Sequence, residues 1–187
     1  MSGVSLKSNA VSLKAWVKEK YRGRRIRISG ELYFTHLTFV AEKVEASTAF
    51  GYEIGLCHDL LEDLRIPATK LYNMLLQFKY TDSDARFITD AVIELTDFYT
   101  AKAYPEMSKK ERKKNEDERL SGISSVAQTV KYADLIYNIN WTLKYEPKKA
   151  AKYLQGKQKL LGKLTAGKGC LRQEANHAVS AGLDQLN

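Results

Sequence analysis

The sequence predicts an all-α helical bundle of seven or eight helices, and three observations predict it. Apolar residues recur at helical spacing along nearly the whole chain. Helix-breaking residues are sparse, with 11 glycines and 3 prolines among 187 residues. Strand-like alternation is confined to short pieces such as Arg25–Ile28.

Taken in order, Leu37, Val40, Ala41 and Val44 fall at i, i+3, i+4 and i+7 and predict a helix over 37–48. The run 51–63 (GYEIGLCHDLLED) has apolar residues on several faces, as a central buried helix would. Leu71, Met74, Leu75 and Phe78 predict a third helix over 68–78. Asp82 or Ser83 is a candidate cap for a fourth, continued by Phe87, Ala91, Leu95 and Phe98 to about Thr100. Pro105 interrupts the pattern. Ser108 and Glu111 then have the spacing of a capping box opening the charged helix SKKERKKNEDERL. Residues 124–145 carry Val126, Val130, Ala133, Ile136 and Trp141, a long buried helix. Pro147 suits the first position of a helix running to about Leu164. Gly167 and Gly169 break it, and Leu171–Leu186 reads as a closing helix.

The length favours one domain over 1–187. No stretch approaches the ~20 apolar residues of a membrane span. The first residues lack an apolar core of the secretory type, and Cys57 and Cys170 are too few for a disulfide framework. A cytoplasmic protein without a membrane partner is expected. The net charge of +8 is unevenly spread. Residues 1–27 and 144–172 are strongly basic, whereas 28–143 hold thirteen Lys/Arg against eighteen acids. An acidic centre between basic flanks suits a cation site that handles an anionic substrate. Nucleic acid is disfavoured as a partner, because the aromatic interleaving of single-strand binders is thin. Oligomeric state is not legible.

Only three histidines are present. His58 lies in the most apolar predicted helix, followed by Asp59, Glu62 and Asp63, and the i+4 spacing of His58–Glu62 and Asp59–Asp63 predicts one polar wall. Carboxylates that close are costly to desolvate unless a cation compensates them. His36 stands upstream, and Asp134 interrupts the apolar face of the 124–145 helix with Asn138 one turn on. Two histidines and two aspartates form a nitrogen/oxygen set suited to Mn²⁺, Fe²⁺ or Zn²⁺. Cys57 reads as a small packing residue, Cys170 and His177 as surface residues, and Trp16 and Trp141 as packing anchors. Gly162, Gly167 and Lys168 resemble a phosphate loop only superficially.

Three blocks in order, RISGELYFTH (27–36), HDLLED (58–63) and VKYADLIYN (130–138), resemble the HD-type hydrolase domain of the RelA/SpoT family. The resemblance covers 27–138, leaving 144–187 as a basic helical extension. It implies an HD-domain bundle, metal ligation by His36, His58, Asp59 and Asp134, normally to Mn²⁺, and a catalytic acidic pair in Glu62 and Asp63. It further implies that Arg27 packs on the guanine base and that Asn138 contacts substrate. The implied substrate is a small-molecule nucleotide: the family hydrolyses the 3′-diphosphate of ppGpp and pppGpp, releasing pyrophosphate and GDP or GTP. Leu32 stands where the family has proline, Leu64 where threonine is common, and Ile139-Asn140-Trp141 where it has Met-Arg-Thr. The lost arginine leaves phosphate binding to other cations, with Lys109, Lys110, Arg112, Lys113 and Lys114 as candidates. Alternatives are another nucleotide (ppApp, NADPH) on the same chemistry, or an HD domain that binds nucleotide or nucleic acid without turnover.

Overall fold

A computed structural model describes residues 8–186, and within them the chain forms ten α-helices and no β-strand. These are α1 (Ser8–Lys20), α2 (Tyr33–Val44), α3 (Gly51–Cys57), α4 (Leu60–Leu64), α5 (Ala68–Gln77), α6 (Asp82–Leu95), α7 (Lys109–Ser121), α8 (Ser125–Tyr145), α9 (Pro147–Lys163) and α10 (Gly169–Gln185). The helical class is as expected, and the count is higher for two reasons. α1 went unread because Val11 and Trp16 blur its apolar stripe, although Ala10, Leu13 and Val17 are buried. The expected helix over 51–63 is interrupted at His58–Asp59, which separates α3 from α4.

Boundaries shift for local reasons. α2 begins four residues earlier than predicted, immediately after the isolated bridge between Arg25 and Leu32 that replaces the expected strand-like piece. Thr81 caps α6, not Asp82 or Ser83: its hydroxyl accepts from the Asp84 N–H at 3.1 Å. That helix stops at Leu95, and its buried face is Ala85, Ile88, Val92 and Leu95; Phe87 and Phe98 are exposed. The capping box at α7 is present in both directions between Ser108 and Glu111. Gly169 opens α10 instead of breaking the chain. Among the described residues no helix is long and apolar enough to cross a membrane.

α8 is the central element, packed against α2, α3, α6, α9 and α10. Its Ala127, Val130, Ala133, Leu135 and Ile139 are buried on more than one side. α9 is two-faced: Ala150, Leu154, Leu160 and Leu161 enter the core, while its lysines line the opposite side. The α9–α10 joint is fitted onto α8, where the Tyr132 hydroxyl donates to Leu164 O at 2.9 Å and Gln128 Oε1 accepts from Ala166 N at 2.9 Å. A Cβ at Gly167 would stand 2.6 Å from Tyr132 and 2.8 Å from Thr129 N, so that glycine serves close packing. Trp16 meets Phe78 edge-on at 6.4 Å, Cys57 is buried, and Cys170 and His177 are exposed, as expected.

The tightest approach joins α2 and α3. A Cβ at Gly55 would lie 2.8 Å from Ala41 Cα and 3.0 Å from Ala41 N, and one at Gly51 would lie 2.2 Å from Val44 O. Backbone meets backbone here, so nothing can swing aside. Gly55→Ala is therefore expected to cost about 2 kcal/mol, a fall in Tm of about 4–8 °C. Gly162→Ala, which meets nothing within 4 Å, should leave Tm unchanged or raise it. Thermal denaturation followed by circular dichroism checks both, and equal Tm values for the two variants would refute the packing argument.

Candidate metal centre

Three elements bring the expected ligands together. His36 lies in the first turn of α2, His58 and Asp59 fill the α3–α4 break, and Asp134 sits near the middle of α8. His36 and His58 are each 3% exposed and Asp134 is 6% exposed. The two Nε2 atoms are 3.1 Å apart. His36 Nε2 is 3.4 Å from Asp59 Oδ2 and 3.5 Å from Asp134 Oδ1; for His58 Nε2 the distances are 3.1 and 3.8 Å. His58 and Asp59 meet the cluster at the helix interruption, and the i+4 spacing of Asp59 and Asp63 is kept by the bond from Asp63 N to Asp59 O at 2.9 Å.

These separations fit a common cation. Bonds of about 2.1 Å place neighbouring ligand atoms about 3.0 Å apart in an octahedron and about 3.4 Å apart in a tetrahedron. The protonation pattern fits as well. His58 Nδ1 is 2.7 Å from the Gly55 carbonyl oxygen, which can only accept, so Nδ1 carries hydrogen and it is Nε2 that would give up its proton to offer a lone pair to a cation. His36 Nδ1 is buried without a hydrogen-bond partner. The buried His36, His58 and Asp134 thus form a cluster able to coordinate a divalent metal, with Asp59 against both imidazoles. When bound, such an ion supplies Lewis acidity, neutralising phosphate charge and lowering the pKa of water.

The surrounding charges are organised to keep the carboxylates ionised. Burial opposes the Asp134 charge, but Lys131 and the two histidines outweigh it and hold the carboxyl well below the usual range. Lys131 Nζ is 2.9 Å from Asp134 Oδ2, and Asn138 Nδ2 donates to Asp134 Oδ1 at 2.5 Å. Asp59 is likewise held down by His58 and His36 against its burial. Opposed by burial, the His58 imidazole is nonetheless raised to about 10 by Asp59 and Asp134, so without a metal the cluster takes a proton as its compensating charge. Tyr33 donates to Asp59 Oδ2 at 2.7 Å; burial and that carboxylate push its hydroxyl upward, so it remains a donor.

The other expected residues are dispersed around this core. Asp63 pairs with Arg24, whose guanidinium nitrogens lie 3.0 Å from both its Oδ1 and its backbone oxygen. Arg24 in turn lies over the Tyr21 and Tyr33 rings, which stack at 5.3 Å. Glu62 is exposed and accepts from Asp97 N at 3.3 Å. Desolvation and the neighbouring Asp97 raise its carboxyl. Asp97 is set there by Glu116, which accepts from Phe98 N and Tyr99 N at 3.1 and 2.9 Å and pairs with Arg119. Arg27 is exposed in the turn between Arg25 and Leu32 and makes no ion pair with any described residue. Asn138 points its amide at Asp134. Sequence reasoning missed the supports Arg24, Tyr33 and Lys131, although Tyr33 and Lys131 stand inside the motif blocks, where a polar side chain one turn from a ligand was the available signal.

The chain matches no protein-family model, and no curated protein matches it in sequence. Among solved structures it is similar to a metazoan ortholog of SpoT, a protein described as hydrolysing ppGpp and playing a role in starvation responses. The TM-score is 0.78 at 18% sequence identity, over 97% of this chain and 99% of that one. The likeness establishes a shared all-α fold.

A divalent transition-metal ion at about 100 times its Kd should stabilise the chelator-treated protein by about 2.7 kcal/mol, and Asp134→Ala should abolish the gain. Differential scanning calorimetry reads both. Tyr33→Phe removes the donor to Asp59 and should weaken metal affinity about tenfold in a chelator competition. Unchanged affinity would show that Tyr33 does not orient a ligand.

Proposed function

We propose that this protein is a metal-dependent phosphohydrolase that cleaves the 3′-diphosphate of guanosine alarmones, ppGpp or pppGpp, with Mn²⁺ held by His36, His58, Asp59 and Asp134. The observation that carries the reading is the cluster itself: the buried His36, His58 and Asp134 offer ligand atoms close enough to share one cation, Asp59 Oδ2 lies 3.4 and 3.1 Å from the two imidazole Nε2 atoms, and the bundle shares its fold with a protein described as hydrolysing ppGpp. The motif blocks 27–36, 58–63 and 130–138 point to the same class.

The chain's own groups divide the work. Glu62 is the proton acceptor for the attacking water and then the donor to the leaving group. Its exposure toward solvent and its raised carboxyl suit a group that must change protonation state during turnover. Asp63, clamped by Arg24, fixes the α4 turn beside it and ties the 25–32 hairpin to the site. Asn138 orients Asp134 from one turn away, leaving its oxygen free for substrate. Arg27, exposed on the hairpin, supplies a planar cation on which a purine base can stack. A second reading keeps this chemistry and changes the nucleotide, because guanidinium stacking suits adenine as well as guanine.

Hydrolysis of ppGpp, ppApp and NADPH by chelator-treated protein with Mn²⁺ restored is the deciding assay. Pyrophosphate and GDP should appear from ppGpp, and Glu62→Gln should keep the metal while turnover falls by about 10²–10⁴-fold. Full activity in that variant would remove Glu62 from proton transfer. Selective turnover of ppApp or NADPH would move the substrate, and no turnover of any nucleotide would sink the hydrolase reading.

A further inference from the structure

α7 turns a charged pair toward the rest of the bundle where a solvated helix would ordinarily turn an apolar stripe. Its buried residues are Glu116 and Leu120, and the Glu116 carboxylate pairs with Arg119, whose Nε lies 2.9 Å from Glu116 Oε1. A partly buried ion pair adds little stability, because desolvation offsets the attraction, and apolar residues of similar volume would seat α7 as well. What sets the charged pair apart is direction: its remaining bonds all go to the backbone of one turn. Glu116 Oε2 accepts from Phe98 N at 3.1 Å and from Tyr99 N at 2.9 Å. Arg119 donates to Glu94 O at 2.9 Å and to Thr96 O at 3.2 Å, covering carbonyls left open at the end of α6.

The donors of that turn can be followed one by one. Thr96 N bonds back to Val92 O and Ile93 O, each at 3.2 Å, and Glu116 takes Phe98 N and Tyr99 N. Asp97 N is the donor left over, and Glu62 Oε2, 35 residues away in sequence, accepts it at 3.3 Å. A bond at the long end of the range is lost on a displacement of about half an ångström, so where the turn stands decides whether it forms. The same frame reaches the metal cluster. Glu94 Oε2 accepts from Ser124 N at 3.2 Å, and Ser124 caps α8, which carries Asp134. Asp97 stands in the wall of a cavity of about 950 Å³ between α7, α8 and α9, together with Lys131, which bonds Asp134 Oδ2.

We propose that Glu116 and Arg119 are positioning residues, which through the 94–99 turn hold the Asp97 N–H on the Glu62 carboxylate and so fix where that carboxylate stands. Glu62 is exposed and belongs to the five-residue α4. A long side chain in that setting has several staggered rotamers open to it, and the bond to Asp97 selects one. Neither Glu116 nor Arg119 touches the reacting atoms. Their effect on turnover rests on Glu62 as the acid and base of the proposed hydrolysis, whereas the placement of Glu62 rests on these bonds alone.

Amide NMR of the full chain, with neither metal nor nucleotide added, tests the placement. Glu62→Gln should move the Asp97 amide resonance in the otherwise unaltered protein. It should leave that resonance unmoved once Glu116→Leu and Arg119→Met are present together. The paired replacement should keep Tm near its original value, because an apolar pair takes over the packing. Glu116→Gln keeps the shape and weakens only the acceptor; in that background the Asp97 response to Glu62→Gln should be smaller, which decides the matter if the paired variant does not fold. With Mn²⁺ and ppGpp, the paired variant should lose about tenfold in kcat while KM and metal affinity stay unchanged. An equal Asp97 response in all three backgrounds, or unchanged kcat in an active enzyme, would overturn the positioning role. So would metal affinity falling in step with kcat, the mark of a merely structural part. If the unaltered protein hydrolyses no nucleotide, only the role of Glu62 in turnover falls, and the Asp97 response still decides the placement.

Discussion

Everything at the metal cluster depends on how closely α2 can lie against α3. His36 comes from α2 and His58 from the break that follows α3, and their Nε2 atoms are 3.1 Å apart. Such a distance requires the two backbones to approach with no side chain between them. Gly51 and Gly55, one turn apart on α3, provide that contact surface against Val44 and Ala41. Interiors are close-packed, so an extra methyl at this seam is transmitted as displacement of a helix rather than absorbed locally. Ligand geometry here is a consequence of helix packing.

The second constraint is electrostatic. Two carboxylates and two imidazole lone pairs converge where water is largely excluded, an arrangement that needs compensating positive charge. Lys131 supplies part of it on the far oxygen of Asp134, while Asn138 and Tyr33 fix the oxygens that face inward or sideways. Around this core a further set of bonds places the acidic pair: Arg24 on Asp63, and Glu116 through the 97–99 backbone on Glu62. Protein dipoles and charges are thus in position before any ligand arrives, which is the condition for electrostatic preorganisation.

Much of this was legible in the chain. Helical class followed from apolar spacing, and the α7 capping box from Ser108 and Glu111, because both signals are local. His36, His58, Asp59 and Asp134 stood out as polar residues in apolar contexts, and the structure brings them together. The break at His58–Asp59 was not legible, since the run 51–63 scores as one helix and only tertiary contacts decide where it bends. Thr81 was overlooked as a cap because three acidic or hydroxyl residues follow one another, and any of them has the right chemistry. α1 escaped for want of a clean stripe. Arg24 lay outside the motif blocks, and its importance comes from a partner 39 residues away, a separation that periodicity does not register.

α9 carries two duties on one rod. Leu154 and Leu161 seat it in the interior, and Lys152 and Lys157 project from the same helix into the cavity beside the metal cluster. Backbone positions on a rigid helix cannot move independently, so the interior sets where each lysine stem begins and leaves only side-chain rotation to the lysines themselves. Drift in the apolar residues over generations would rotate or slide the rod, and each such shift would move the lysine stems relative to the metal cluster without altering a single charged residue. In a lineage of such proteins, the field beside the metal cluster can therefore change through the hydrophobic interior, where an inventory of charged residues would register no difference.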